Sequence, residues 1–218
     1  MNSSEDKFII TSVKTIEIFA KYSSFSTVAK KRGHLTFAID NSFYPDIDYV
    51  TEIEDINLDR IPFKPDFIWA RPPGTNFSVA SMGTHWNSDN TPKTINARIA
   101  ISQIKDLMKI IKTLEPKYWL IENPRGKLRK LGLIDNKYLN TVTLCQYGHQ
   151  NMKATDLWAN FYEIWNPRPM CKNGDSCHIS APRGSRTGSQ GDLPQSEKWD
   201  IPSELSNEIL EAIEQNMG

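Results

Sequence analysis

The sequence is poor in cysteine, in long apolar runs and in net charge. Three cysteines in 218 residues are a small, odd number, which argues against a disulfide framework. No apolar run approaches the ~20 residues that a membrane span needs, and MNSSEDKFII lacks the basic region and long apolar stretch of a secretory signal. Lys+Arg and Asp+Glu balance at 26 each, so the whole chain is not an obvious polyanion binder, although a local basic patch stays open. We expect an intracellular, cytoplasmic globular protein without a membrane partner.

The order of apolar and polar segments predicts an α/β protein. Strand-like and helix-like segments alternate, which is typical of a mostly parallel sheet with crossover helices on both faces. Ser24 is the expected N-cap of the first helix, and Ile95 and Ile99 are expected on the buried stripe of the second. The predicted strands are residues 8–19, 35–40, 49–53, 66–70 and 118–123 with shorter ones in TVTLCQY and LWANFY, and the predicted helices are residues 24–33, 92–114 and 202–215.

Composition divides the chain into three parts. Its length is sufficient for one well-buried domain with a small appended lobe. We expect a Rossmann-like core in residues 1–140 and a loop-rich lobe in residues 141–200, where Gly, Pro, Ser, Asn, Arg and Lys are frequent. Residues 201–218 are expected to form a C-terminal helix that packs on the core.

Polar residues and turns follow several of the predicted strands. Asp40 ends one strand and Glu122 nearly ends another, while the turns RPPG and ENPRG follow two strand ends. Because ligands of an open parallel sheet bind at the carboxyl ends of the strands, we expect one cleft there. The segment DFIWARPPGTNFS would present a nucleophile after Pro-Pro in a Rossmann-like enzyme, but that position is Gly74, which has no side chain.

Four segments, in their order along the chain, carry a resemblance to a known family. They are PPGTNFSVAS (residues 72–81), IENPRG (121–126), KATDLWAN (153–160) and RPMCKNGDSCHISAPRGSRTGSQG (168–191). Together they resemble the C5 DNA cytosine methyltransferases, most closely the short phage-type DNA methylases, from Ile16 onward. The resemblance implies the Rossmann-like fold of S-adenosylmethionine-dependent methyltransferases, a bacterial or phage-infected cell, and DNA recognition by residues 141–200.

The resemblance also implies roles for individual residues. The family flips a cytosine out of the duplex, attacks its C6 with a cysteine thiolate and transfers a methyl group from S-adenosylmethionine to C5. Glu122 matches the residue that holds the N3 edge of the base, with Asn123 and Pro124 shaping its turn, and Pro73 precedes the nucleophile position. The implied cofactor contacts are Phe19 beside the cofactor, Asp40 at the ribose hydroxyls and Asp55 near the adenine.

Gly74 is the first departure from the family. It stands where the family has its catalytic cysteine, and the neighbouring hydroxyls of Thr75 and Ser78 are poor substitutes for a thiolate without an adjacent base. His85 is close in sequence, but we expect it to serve a loop. Since glycine removes volume without adding charge, we expect that a flipped base can still enter the pocket.

The turn FAKYSS (residues 19–24) is the second departure. The family has a glycine-rich turn here, and Lys21 and Ser23 stand at two of its glycine positions. Glycine allows left-handed dihedral angles and close approach of a ligand, whereas Lys21 puts a long cation where the methionine portion of the cofactor should lie. Lys21 therefore argues against binding of S-adenosylmethionine, and the two departures together predict a pseudoenzyme that no longer methylates.

Basic residues cluster near the predicted cleft. Arginines on glycine-flanked loops are suited to contacts with DNA phosphates, which position a duplex without reading its sequence; the alternative is ordinary solvated charge. The candidate DNA-binding residues are Arg71, Arg125, Lys127, Arg129, Arg183 and Arg186.

All three cysteines lie in one window near the end of the chain. Cys145 comes from CQYGH, and Cys171, Cys177 and His178 come from CKNGDSCH. These four donors from two segments could form a closed zinc site that stabilises a lobe with little core. The spacing is not that of a standard zinc finger, and buried thiols are the alternative.

Four functions remain open from the sequence. The favoured one is a homologue that binds duplex DNA, holds a flipped pyrimidine and does not methylate, acting beside a host or phage methylation or restriction component. The second is an enzyme that modifies or releases a pyrimidine base in the same pocket. The third is a methyltransferase completed by a partner subunit, and the fourth is a protein–protein module that has lost DNA binding.

Overall fold

The fold is built on one seven-stranded sheet. The computed structural model describes residues 12–180 and 201–217. The strands are β1 (Lys14–Ile18), β2 (Leu35–Asp40), β3 (Tyr49–Val50), β4 (Phe67–Ala70), β5 (Tyr118–Pro124), β6 (Leu139–Thr143) and β7 (Ala154–Ala159). Their order is β3-β2-β1-β4-β5-β7-β6; β1 to β5 pair in parallel, and β7 runs antiparallel to both of its neighbours. The sheet is therefore mostly parallel, as expected.

Helices cover both faces of this sheet. They are α1 (Ser24–Lys31), α2 (Met82–His85), α3 (Ile95–Leu114) and α4 (Ser203–Gln215). Residues of α1 and α4 pack with Phe67 and Trp69 on one face, while residues of α3 pack with Ile68 and Ala70 on the other. Successive side chains of β4 thus enter opposite cores, as the two-residue period of a strand requires. This is an α/β Rossmann-like fold with helices on both faces of a mostly parallel sheet, and the predicted architecture is confirmed.

The C-terminal helix is attached to the rest of the molecule through α1 and β2. Leu205, Ile209 and Ile213 of α4 are fully buried in the same core as α1. The Glu214 carboxylate accepts a hydrogen bond of 2.6 Å from Nη2 of Arg32, and it lies 2.7 Å from Nε2 of His34. Apolar burial and this ion pair therefore join residues that are about 180 positions apart in the chain.

Two details of the helices differ from the predictions. Ser23, not Ser24, is the N-cap residue of α1, and it makes no side-chain cap. Ile95 and Ile99 of α3 are 69% and 50% exposed, so they do not belong to the buried stripe. Thr94 caps α3 by accepting the N–H of Ala97, and in the helix that begins there Ile95 and Ile99 lie on the exposed side. The buried face consists of Ala97, Ala100, Ile104, Leu107, Ile110 and Ile111.

The second half of the chain contributes to the same sheet. Strands β6 and β7 lie beside β5, so residues on both sides of position 140 share one hydrogen-bonded layer. Residues 160–180 contain no strand or helix. The functional division into residues 1–140, 141–200 and 201–218 stays a prediction. In the described ranges no helix combines the length and the apolar content needed to cross a bilayer.

Candidate functional site

A cleft lies at the carboxyl ends of the central parallel strands. It encloses a cavity of about 750 Å³, a volume suited to a small-molecule ligand or a single base. The turns after β1, β2, β4 and β5 line it, together with the start of β7. Seven of the residues predicted from the sequence line this cavity: Phe19, Asp40, Arg71, Pro73, Gly74, Glu122 and Arg125.

The Pro-Pro-Gly turn after β4 packs tightly on the turn after β5. Nδ2 of Asn123 donates a hydrogen bond of 2.9 Å to the buried carbonyl of Pro72. A Cβ atom added to Gly74 would overlap Cδ of Pro124 and lie 2.7 Å from its Cγ. The Pro124 ring therefore occupies the place of a side chain at position 74. The expectation that glycine leaves an emptied volume here is wrong, because the two turns close on each other.

Gly126 makes a second close approach between the same two turns. A Cβ at this position would overlap the carbonyl oxygen of Phe77 and lie 3.3 Å from Cα of Ser78. Gly126 and Ser78 form an antiparallel bridge, and the N–H of Lys127 donates to the Phe77 carbonyl at 2.7 Å. The segments PPGTNFS and ENPRG thus form one packed unit.

The turn FAKYSS keeps a backbone that glycine would favour. Phe19, Lys21 and Ser23 have φ angles of 59°, 47° and 50°, all in the left-handed region, where a non-glycine residue costs roughly 1–3 kcal/mol. Backbone hydrogen bonds hold the turn: the N–H of Ser23 donates to the Ala20 carbonyl at 2.8 Å, and that of Ala20 donates to the Ile39 carbonyl at 3.1 Å. Lys21 and Ser23 therefore adopt left-handed conformations that are favoured by glycine.

Asp40 connects this turn to the loop after β2. Its Oδ2 accepts the N–H of Lys21 and its Oδ1 accepts the N–H of Ser42, each at 2.9 Å. Both carboxylate oxygens thus contact backbone at the edge of the cleft. Asp55 lies in a short 3-10 turn (Ile53–Asp55) and is not among the residues that line the cavity.

Arg71 and Glu122 form an ion pair inside the cleft. Nε of Arg71 lies 3.4 Å from Oε2 of Glu122, and both side chains are almost completely buried. Nη1 of Arg71 donates to Oγ of Ser24 at 3.1 Å. One guanidinium therefore joins the start of α1 to the end of β5.

Glu17, in the middle of β1, is a polar residue of this region that the sequence reasoning missed. Its Oε2 accepts the N–H of Ser26 at 2.8 Å. Glu17 therefore provides a partner for one of the free N–H groups in the first turn of α1, where the Ser23 side chain makes no capping hydrogen bond. Complete burial raises the pKa of the Glu17 carboxyl, against a lowering by the Ser26 hydrogen bond and by Arg71. A single carboxylate inside the apolar run KTIEI is the signal that could have found it.

Lys21 is a cation at the mouth of the cleft. Partial burial lowers the pKa of its ammonium group, Asp40 opposes this, and Arg71 adds to it. Lys21 and Arg71 thus place positive charge at the ends of β1 and β4, and Lys153, directly before β7, also lines the cavity.

The predicted DNA-binding residues fall into three groups. Arg71 and Arg125 line the cleft. Lys127 is buried, and its Nζ donates to Oδ1 of Asn90 at 2.8 Å. Arg129 is paired with the fully buried Asp156, with Nε 2.8 Å from Oδ2. Arg183 and Arg186 lie outside the described residues.

The hydroxyls near Gly74 have local partners. Oγ of Ser78 lies 3.1 Å from Oγ of Ser81 and donates to the Thr75 carbonyl at 3.4 Å. Nδ1 of His85 lies 2.8 Å from Oγ1 of Thr94, which connects its ring to the N-cap of α3. His85 therefore serves the loop before α3.

The three cysteines and His178 come together in a separate cluster. The ligand atoms of Cys145, Cys171, Cys177 and His178 all lie within 4.8 Å of one another. Cys145 belongs to a 3-10 turn (Leu144–Tyr147) directly after β6, and the other three belong to the loop 171–178. This cluster could bind a metal ion, and it contains the four residues that the sequence singled out.

The relation to known proteins is distant. No protein-family model and no curated protein matches the sequence. One similar solved structure is a prophage-encoded E. coli protein assigned as a DNA modification methyltransferase, with a TM-score of 0.49 and 13% identity over 73% of this chain and 52% of that one. Another is the Dnmt2 methyltransferase of S. pombe, with a TM-score of 0.40 and 15% identity over 67% and 49%. The chain spans about half the length of each, and the fold assignment rests on its own sheet.

Proposed function

We propose that this chain is a C5 DNA cytosine methyltransferase homologue, of the phage type, that binds duplex DNA without methylating it. The carrying observation is Gly74 at the end of the β4 turn. It has no nucleophile, and the Pro124 ring fills the place where a side chain would start. We therefore expect no attack by a cysteine on a pyrimidine, because position 74 has no thiol and the Pro124 ring occupies the space of its side chain.

Among the described residues, neither Ser78 nor His85 is placed to replace the missing thiolate. A serine or threonine hydroxyl needs a neighbouring base to become a nucleophile. The Ser78 hydroxyl instead contacts Ser81 and the Thr75 carbonyl, and the nearest histidine in sequence, His85, contacts Thr94. This supports a binding role over an altered nucleophilic reaction.

The cofactor side of the cleft also argues against methyl transfer. S-adenosylmethionine carries a positive sulfonium, and this part of the cleft contains Lys21 beside Arg71, whose own charge is paired with Glu122. Like charges in a partly buried cleft repel each other. Phe19, Asp40 and Asp55 are consequently proposed as remnants of a cofactor site and not as working contacts.

DNA binding is supported by the retained shape and charge of the cleft. Glu122 lies nearly buried in the cleft wall. A flipped pyrimidine could form a hydrogen bond with Glu122 if the ion pair between Glu122 and Arg71 opened. Arg125 lines the rim and is the described arginine that we propose contacts a phosphate. Lys127 and Arg129 are better explained by their internal partners, Asn90 and Asp156.

Calorimetry and fluorescence anisotropy with the purified chain test this proposal. We expect mixed-sequence duplex DNA to bind, with an affinity that falls as salt rises. S-adenosylmethionine should give no binding heat, and its labelled methyl group should not enter DNA. Incorporation of methyl groups by the chain alone would overturn the loss of activity. Release of a free base would instead indicate an enzyme that acts on a pyrimidine base. Failure to bind DNA at low salt would contradict the proposed DNA binding.

A pair of arginine variants identifies the DNA-contacting surface. Arg125→Ala should weaken binding similarly on all sequences and reduce the salt slope by about 1, since one phosphate contact is lost. Arg98→Ala is the matched control, because Arg98 is an exposed arginine of α3 that does not line the cleft. Equal losses in the two variants would show that nonspecific charge accounts for the binding.

A further inference from the structure

We propose that Cys145, Cys171, Cys177 and His178 form a structural zinc site. It is independent of the cleft chemistry and goes beyond the proposed DNA function. The site would be closed, with three thiolates and one imidazole from the protein and no position for water or substrate. Such a ligand set is that of a structural zinc and not of a catalytic one.

The distances between donor atoms fit tetrahedral coordination. Sγ of Cys145 lies 3.2 Å from Sγ of Cys171 and 3.7 Å from Sγ of Cys177. Nδ1 of His178 lies 3.7 Å from Sγ of Cys171 and 3.5 Å from Sγ of Cys177. A tetrahedral ion with Zn–S bonds of about 2.3 Å separates its sulfur ligands by about 3.8 Å. These four distances are thus close to the spacing that zinc requires, and the remaining two donor pairs lie within 4.8 Å.

The surrounding backbone holds the loop in place for this geometry. The N–H of Cys171 donates to Oγ1 of Thr143 at 2.9 Å, and the N–H of Lys172 donates to Oδ2 of Asp175 at 2.7 Å. Gly174, with a φ of 93°, makes the tight turn between the two cysteines of the loop. Nε2 of Gln146 lies 3.4 Å from Sγ of Cys177, which is the kind of N–H···S contact that orients a metal-bound thiolate.

The site also has a clear structural purpose. Residues 160–180 contain no strand or helix, yet Cys171 is buried against the end of β6. Few apolar side chains of the loop 171–178 enter the core, so burial alone gives this segment little stability. A zinc ion would cross-link the loop to the turn Leu144–Tyr147 and stabilise the folded state by binding it selectively.

Metal analysis of the full chain tests the site. After dialysis against metal-free buffer, inductively coupled plasma mass spectrometry should find one zinc per chain. The cobalt-substituted protein should show the intense visible bands of tetrahedral Co²⁺ and a thiolate-to-cobalt charge-transfer band. Absence of bound zinc after reconstitution under reducing conditions would overturn the proposal. An intact mass lower by two hydrogens without zinc would do the same and assign a disulfide between two of the cysteines.

Single variants separate the ligands from their neighbours. His178→Ala, at a half-buried ligand, should abolish stoichiometric zinc and lower the Tm by on the order of 10 °C. His149→Ala is the matched control, because its Nδ1 contacts the backbone of Asn151 and it is not one of the four donors; it should keep the zinc. Full zinc content and an unchanged cobalt spectrum in His178→Ala would contradict the assignment.

Discussion

The cleft and the Cys/His cluster differ in how they combine backbone structure with chemical groups. The cleft has a closely packed backbone, including the left-handed turn at residues 19–23 and the packed turns after β4 and β5. Gly74 gives it no nucleophile at the end of the β4 turn, and Lys21 lines its cavity. In the cluster the backbone is an irregular loop, yet the four donor atoms converge within 4.8 Å. A closely packed backbone and a convergent set of chemical groups thus occur at different places in this chain.

This difference has a physical origin. The cleft turns are parts of the sheet core, so a change there disturbs packing of β1, β4 and β5 whether or not a reaction takes place. A metal cluster depends mainly on its ligands, because loss of one donor removes much of the binding free energy. The cleft backbone is therefore expected to tolerate few changes for reasons of stability, and variants at Gly126, Gly74 and Lys21 allow this to be measured.

Gly126→Ala should give the largest effect. Its methyl group would overlap a backbone carbonyl, that of Phe77, which cannot rotate away as a side chain can. We expect a loss of about 3 kcal/mol in the free energy of unfolding, with zinc content unchanged. Urea unfolding measures it, and Gly83→Ala is the control because a Cβ there meets open space. Equal stability of the two variants would show that the turns separate easily.

Gly74→Cys should have a smaller effect and should not restore methylation. The new Cβ meets the Pro124 ring, which can shift slightly, so we expect a loss of about 2 kcal/mol by chemical denaturation. Gly83→Cys controls for the thiol itself. The double variant Gly74→Cys/Pro124→Ala removes the ring that the new Cβ meets. Its loss in the free energy of unfolding should be smaller than the sum of the losses in the two single variants, and the difference is the coupling energy. Methyl transfer to DNA by Gly74→Cys alone would contradict a closed turn.

Lys21→Gly should give the smallest change in the free energy of unfolding. It should stabilise the protein, whereas the variants at Gly126 and Gly74 should destabilise it. It removes the cost of a left-handed lysine but adds backbone entropy to the unfolded chain, so we expect a gain of about 0.5–1 kcal/mol. Thermal unfolding measures it. Lys30→Gly is the control: this exposed lysine lies inside α1, where glycine should cost about 1 kcal/mol. Destabilisation by Lys21→Gly would mean that the lysine side chain holds the turn.

The comparison of prediction and structure also shows which elements can be predicted from patterns in the sequence. β2 was predicted with its observed ends, and β4, β5, α3 and α4 were predicted within a few residues, because their apolar periods are long and uninterrupted. The third strand ended three residues earlier than expected, since Ile53 begins a 3-10 turn. Whether Asp40 and Glu122 act on a ligand stays a prediction, although both were expected to lie in one cleft and do so.

Other features depended on contacts between distant segments. The internal partners of Lys127 and Arg129 come from residues 90 and 156, and nothing in the local pattern PRGKLRK distinguishes a buried cation from a solvated one. For Glu17 the sequence contains a signal, a carboxylate within a strand, but only the structure shows that it accepts the N–H of Ser26 in the first turn of α1.

By itself the sequence determined the α/β class, the strand ends that meet at the cleft, the absence of a thiol at position 74 and the identity of the four metal-type donors. These follow from residue types and periodicity, which are local. Only the tertiary structure decided that Pro124 fills the place of the missing side chain, that Lys21 and Ser23 hold left-handed angles, and that the donors of two segments lie within 4.8 Å of one another. Steric overlap and convergence of atoms depend on three-dimensional distances, which residue order alone does not contain.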